Sequence, residues 1–363
     1  MGLTFAHCAY SGVGGTGSFV AELCPRLRRQ HGDGSSVVFY GVEPLHPRYA
    51  QLLDDSAVPY QKVLKRPGAD LASRWALARA LRSVNASVVV MHGGGTAWHW
   101  PLLRLMGVRG RMVLVEHGPE SACLRLGGFV RHAIGISCAA TVIAVSERLA
   151  ERLRSAFCVF LGPTPVWSIP NGIDTEFFAP AASAGPSKSL LMVGTLSPSK
   201  DHTTLIRALA LVAQRRPVQL VFAGDGILRP QLERLAEECG MREQITFLGN
   251  VGREHLLGLY HQAAVFAFST KGEGSPLALL EAMSCGLPVV ASDVPGVREI
   301  LVGDECGLLV PPGRPAEMAR AIERLLGDAE FARRLGAKAR KHVETNHSAT
   351  RMAARYGEVL NAI

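Results

Sequence analysis

Two glutamates, Glu273 and Glu281, stand eight positions apart in the stretch KGEGSPLALLEAMSCG (271–286), around the pair Ser275-Pro276. Such a pair can be a catalytic acid and base, the two ends of a ligand clamp, or ordinary helix surface. Carboxyls that hydrolyse a glycoside lie on opposite sides of a bond, about 5 Å apart or wider. Here both flank one helix start. Ser275 suits an N-cap and Pro276 the first helical position, which predicts a helix over 277–283 that closes near Gly286. Glu273 then lies in the loop before the helix and Glu281 inside its second turn. From Gly274 through about Ala278 the helix start offers free backbone N–H groups and the positive end of a dipole, a site for an anion. A carboxylate beside such a site is suited to accept hydrogen bonds from hydroxyls, such as those of a sugar. Glu281 falls between LALL and AM, and an ionised group among apolar neighbours needs a partner.

Other residue types with chemistry recur at strand ends. His92 closes VVVMH and His117 closes VLVEH, where a parallel strand spills into a loop and ligands usually sit. His92 would orient an acceptor or brace the loop GGGTAWHW, and Glu116 beside His117 has a structural role as its plain alternative. Lys200 ends GTLSPSK, where its plain reading is a surface lysine that starts a helix. The loop SGVGGTG (11–17) misses the GxGxxG spacing, and Glu43 comes too late to hold a ribose. TAWHWPLLRLMG (96–107), with Arg104 and Arg109, reads either as a patch for a membrane surface or lipid acceptor, or as a helix buried on a sheet. The adjacent aspartates of LLDDSA (52–57) lie far from the glutamates and give no metal-holding Asp-x-Asp, so no metal and no cofactor is expected.

These residues need a scaffold. With 363 residues, two domains are expected. Apolar runs ending in polar residues recur at 1–10, 35–42, 86–92, 111–117 and 140–146, with helical patterns between them. That is the rhythm of a parallel sheet covered on both faces. APAASAGPSKS (179–189) has the composition of a linker. A second series of strands and helices follows it, and the chain ends in helical sequence. The boundaries expected are 1–178 for the first domain, 179–189 for the linker and 190–345 for the second domain, with a last helix at about 346–363 packing back on the first. Eight cysteines at irregular spacing, without a CxxC, suit reduced thiols. The first residues lack a charged region and a long apolar run, so no signal peptide is expected. The expected location is the cytoplasm, with contact at the inner membrane face left open. The net charge is +8; residues 1–180 carry 18 Lys+Arg against 12 Asp+Glu, and the remainder 21 against 19. That excess suits either an anionic partner or an arginine-rich solvated surface.

EGSPLALLE resembles the E-x7-E motif of the retaining GT-B glycosyltransferases of family 4. The likeness continues through AMSCGLPVVASDVPGVREIL (282–301), and SIPNGIDTEFF (168–178), AGDGILRPQLERL (223–235) and FLGNV (247–251) also read like that family. The resemblance implies an α/β protein of two Rossmann-like domains facing across a cleft. It implies a retaining, metal-independent hexosyltransferase that moves a sugar from a UDP- or GDP-sugar to an acceptor hydroxyl, with a sugar, lipid-linked or small-molecule acceptor and no nucleic acid. Polysaccharide, glycolipid or glycoconjugate synthesis is the implied setting. It assigns the ribose to Glu281, donor-sugar hydroxyls to Glu273 and His117, and the diphosphate to Lys200. Backbone N–H groups around Gly274, Ser275, the neighbours of Pro276 and Leu277 would face diphosphate and sugar. Gly14, Gly15 and Thr16 would face the phosphates, and backbone near Val251 the base. One departure stands out. The family pattern G-R-L-x-x-x-K appears here as Gly194-Thr195-Leu196 and then Lys200, so an arginine is replaced by Thr195. Charge-assisted bonds are roughly twice as strong as neutral ones, and Arg253 is the candidate substitute. A sugar-nucleotide epimerase and a non-catalytic sugar-nucleotide-binding subunit are the alternatives.

Overall fold

A computed structural model describes residues 4–10, 15–32, 34–42, 45, 47–66, 70–118, 126–181 and 189–363. The chain divides into two compact units, Met1–Gly172 with Ala349–Ile363, and Ile173–Ser348.

The first unit is built on seven parallel strands, β1 (Phe5–Ala9), β2 (Ser36–Gly41), β3 (Tyr60–Leu64), β4 (Val88–His92), β5 (Arg111–Glu116), β6 (Thr141–Ala144) and β7 (Val166–Ser168). Their order is β3-β2-β1-β4-β5-β6-β7. Strands β1 and β4 are buried along their whole length, which is why they read as continuous apolar runs rather than alternating ones. Each fully buried Val, Leu or Phe contributes roughly 1.5–3 kcal/mol of transfer free energy. Ala6, Cys8, Val89, Met91 and Leu114 belong to one core cluster. Elsewhere in the unit, the helix Gly15–His31 meets the last helix, Ala349–Asn361. The rings of Phe19 and Tyr356 lie 5.7 Å apart there, and Arg355 donates to the Ser168 carbonyl at 2.7 Å.

The second unit repeats the plan with six parallel strands, β8 (Ser189–Val193), β9 (Gln219–Ala223), β10 (Ile245–Gly249), β11 (Val265–Phe268), β12 (Val289–Ser292) and β13 (Leu308–Val310), in the order β10-β9-β8-β11-β12-β13. In both sheets the order reverses once, between β1 and β4 and between β8 and β11. Open sheets of this kind bind ligands outside the carboxyl ends of the strands at such a reversal.

The division falls earlier than the sequence suggested. Ile173 and Phe178 belong to the second core, and Ile173 donates to the His347 carbonyl at 2.9 Å. The chain therefore changes units at 172/173 and again at 348/349, not at 178 and 190. Composition marked the Pro/Ala/Ser-rich stretch as the break, but buried side chains on its N-terminal side commit that turn to the second unit. Residues 182–188 of the expected linker lie outside the described residues. Two strands went unexpected. In β3 only Val63 is buried, and β7 has three residues, so neither shows an apolar run. Among the described residues no helix is long and apolar enough to cross a membrane.

Candidate active site

In the second unit, β8 runs into Gly194 and the loop 195–201. That loop is stitched to the chain leaving β11. Lys271 donates to the Ser199 carbonyl at 2.9 Å and Asp201 to that of Ser269 at 3.2 Å, while Lys200 and Thr270 pair as an isolated antiparallel bridge. The stitching brings Nζ of Lys200 onto Oε1 of Glu273, an ion pair whose side chains are 18% and 13% exposed. The same Oε1 accepts from Thr270 Oγ1 at 3.0 Å. The ammonium also stands 4.9 Å from the Phe268 ring centre. His202 Nδ1 donates to the Lys200 carbonyl at 3.2 Å. Burial holds its imidazole neutral, with the pKa lowered to about 4. Sequence reading passed over His202, which braces the backbone of Lys200. Thr195 is exposed beside this loop.

The helix between the glutamates is Leu277–Ser284, with Pro276 at the cap and no side-chain capping bond. Ser275 was expected to cap it. The cap falls one residue later, and Ser275 is buried at 8% exposure. The loop before the helix is held by a close approach. A Cβ on Gly296 would lie 2.2 Å from the Gly274 carbonyl oxygen and 2.4 Å from that of Glu273, so only glycine lets the helix Pro295–Leu301 support that turn. Glu281 is 7% exposed, and its Oε2 accepts from the Tyr260 hydroxyl at 2.9 Å. That hydroxyl also lies 3.2 Å from the Ala278 carbonyl. Tyr260, on the helix Arg253–Gln262, is thus the partner the buried carboxylate needed. At the other end, Arg340 donates to the carbonyls of Thr175, Phe178 and Ser284 at 2.7–2.9 Å. A cation there satisfies orphan carbonyls and the negative end of the dipole.

Arg253 is turned toward the segment 174–178. Its guanidinium donates to Asp174 at 3.3 Å and lies 3.9 Å from the Phe177 ring centre. Its charge already has a carboxylate, so it anchors this turn. Val251 is half-buried just beyond β10 and packs on the second core.

In the first unit, three histidines on neighbouring strands form a chain. His7 Nδ1 lies 3.2 Å from His92 Nε2, and His92 Nδ1 lies 3.0 Å from His117 Nε2. Burial lowers His7 to about 4 and His117 to about 4, and holds His92 well below the usual range. All three are neutral at pH 7, so each carries one donor and one acceptor. His7 Nε2 is buried without a partner among the described residues. An orphaned buried N–H is rarer in proteins than an orphaned acceptor, which assigns the His7 proton to Nδ1. Each link then donates toward His117, and His117 carries its own proton on Nδ1. His7 escaped the sequence reading because only the register of β1 against β4 brings it to His92.

Glu116 braces the loop after β4. It accepts from the Gly94 N–H at 2.6 Å and pairs with His132 Nε2 at 2.7 Å. Gly15 and Thr16 open the helix Gly15–His31, at the carboxyl end of β1. Gly14 lies outside the described residues. Of the stretch 96–107, Trp100 and Leu103 are core residues at 4% and 0% exposure. They belong to the core of that unit, which favours the reading of a helix buried on the sheet over that of a surface patch.

The sequence model described as Glycosyltransferase Family 4 matches residues 13–177, and that described as Glycosyl transferases group 1 matches residues 174–342. An uncharacterised glycosyltransferase of Methanocaldococcus jannaschii is 32% identical over 219 residues, 57% of this chain and 56% of that protein. The chain thus spans little more than half the length of that relative. A GDP-mannose-dependent alpha-(1-6)-phosphatidylinositol monomannoside mannosyltransferase of Mycolicibacterium smegmatis is 30% identical over 282 residues, 72% of each chain. The structure of Anabaena HepE in complex with UDP-glucose superposes with a TM-score of 0.84 at 19% identity over 100% of both chains, a likeness of fold. Two parallel sheets with interleaved helices and two adjoining sequence matches lead to one conclusion: the chain belongs to the family 4 glycosyltransferases, with the GT-B fold of two Rossmann-like domains.

Proposed function

We propose that the protein transfers a hexose from a UDP- or GDP-sugar to an acceptor hydroxyl, with retention and without a metal ion, in the synthesis of a cell-surface glycan or glycolipid. The carrying observation is the arrangement around one helix start, with Glu273 paired to Lys200 before it and Glu281 fixed by Tyr260 behind it. The donor's diphosphate lies on the backbone N–H groups of Gly274, Ser275 and Leu277, where the helix dipole favours an anion. Lys200 exchanges its carboxylate for the diphosphate and stabilises the charge left when the C1–oxygen bond breaks. Glu273, released, accepts hydrogen bonds from sugar hydroxyls, and Glu281 accepts from the ribose. The acceptor oxygen attacks C1 on the face the phosphate leaves, and the acceptor's proton passes to the departing phosphate oxygen. No protein nucleophile is required. Fixed charges and dipoles supply the rate, as electrostatic preorganisation. In the first unit, His117 offers its Nδ1–H to a sugar hydroxyl, and His92 holds that ring. The acceptor is a sugar, a lipid-linked glycan or a small molecule.

Titration with UDP-, GDP- and ADP-sugars, read by thermal shift, tests the donor, because a ligand that binds only the folded state stabilises it. One base should raise the melting temperature well above the others; no shift with any of them would sink the proposal. Product NMR reads retention, and activity in a chelator reads metal independence.

A further inference from the structure

Trp98 follows the helix Gly94–Ala97, beyond the carboxyl end of β4. Two guanidinium groups lie over its indole. Arg74, on the helix Leu71–Val84, is 5.3 Å from a ring centre, and Arg131, on the helix Leu126–Cys138, is 5.9 Å away. His99 packs on the same indole, with centroids 4.3 Å apart. Lys65 follows directly on β3 at the same sheet edge, half-buried. Its field reaches His99 with those of Arg74 and Arg131. The imidazole is pushed to about 4, first by burial and then by these three cations in the order Arg74, Lys65, Arg131. None of the three makes an ion pair among the described residues. Asp70, one turn before Arg74, spends its carboxylate on the N–H groups of Arg66 and Ser73. Arg74 and Arg131 therefore meet over one indole, Lys65 lies near enough to act on His99, and no ion pair among the described residues takes any of the three. Like charges so placed repel, and each loses stability until an anion arrives. Two guanidinium forks and an ammonium offer charge-assisted donors to the oxygens of a phosphate group, whether monoester or diester. The rings of Trp98 and His99 supply a flat wall beside it.

We propose that Arg74 and Arg131 over Trp98, with Lys65 beside them, bind a phosphate group carried by the acceptor, either a soluble sugar phosphate or a phospholipid headgroup. The proposal deepens the transferase reading on which it rests, by naming the acceptor's chemical class. The +6 excess of the first 180 residues is then in part a substrate site rather than solvated surface alone.

The test is calorimetric titration of the full chain, with UDP or GDP at saturation to block the diphosphate site. One arm uses glucose 6-phosphate against glucose, and the other uses phosphatidylglycerol vesicles against phosphatidylcholine vesicles. One anionic probe should bind while its uncharged or zwitterionic counterpart does not, and the arm that responds names the source. Binding should weaken at least tenfold in Arg74→Gln/Arg131→Gln and severalfold in Lys65→Gln. Unchanged circular dichroism shows that the variants fold. Failure of both phosphate probes to bind wild type, or equal binding by wild type and the double variant, overturns the proposal. If no nucleotide stabilises the chain, the transferase reading falls separately, because the same titrations without nucleotide still report on the cluster.

Discussion

Tyr260 joins a fully buried phenol to the carboxylate of Glu281 on the apolar helix Leu277–Ser284. A hydrogen bond to a charged group is worth about 1.5–3 kcal/mol, so Glu281 is held in one rotamer before any ligand arrives. Two substitutions separate holding from binding. Glu281→Ala should weaken nucleotide binding more than tenfold, since it removes the acceptor itself. Tyr260→Phe should weaken it severalfold and lower the melting temperature by a few degrees, since it removes only the brace. Equal effects in a calorimetric titration would mean that the phenol meets the ligand directly. In the first unit the orphaned Nε2 of His7 fixes the polarity of its chain, and this too is measurable. Nitrogen-15 NMR of the histidine rings at pH 7 should show His117 protonated at Nδ1. An Nε2–H His117 would reverse both links and leave it offering a lone pair to the sugar.

The helix Pro295–Leu301 touches no proposed ligand atom, yet it supports the turn that carries Glu273. Its Gly296 leaves no room for a methyl group against the Gly274 carbonyl. Gly296→Ala must move either that helix or the turn, and overpacking of this kind costs about 1–3 kcal/mol. Nucleotide-sugar affinity should fall at least tenfold while the fold survives; native affinity in the variant would show that the turn is not held from behind. This support was invisible in the sequence, as was Tyr260, because both act across contacts that only the packed sheet makes. Glu273 and Glu281 stood out by their spacing around one helix start, and Lys200 by a family pattern in the loop after β8. The central strands were legible as apolar runs, whereas β3, an edge strand written YQKVL with one buried residue, carries no such signal. The helix cap was misplaced by one residue because Ser and Pro each suit two adjacent positions there.

At the scale of the molecule, the buried histidines are unevenly shared. His7, His99 and His117 are lowered to about 4, and His92 well below its usual range, all in the first unit. In the second unit His202 is lowered to about 4 and His342 is lowered. The unfolded chain protonates these rings below the ordinary value of 6.5, whereas the folded chain resists until about 4. Stability is therefore unaffected above about 6.5 and falls as the pH drops from there toward 4. At 1.36 kcal/mol per pKa unit, one such ring costs up to about 3 kcal/mol over that window. One ring alone costs less than the stability of a whole domain. Even so, a few of these terms match the roughly 5–15 kcal/mol that holds a domain together. The first unit should therefore loosen before the second on mild acidification. Hydrogen exchange at pH 7.5 and 5.5, corrected for the intrinsic pH dependence of exchange, reads this directly. Amides of β1, β4 and β5 should lose protection at pH 5.5 while those of β8, β11 and β12 keep theirs. Parallel loss in both sheets, or earlier loss in the second, would mean that the neutral histidines do not govern acid stability.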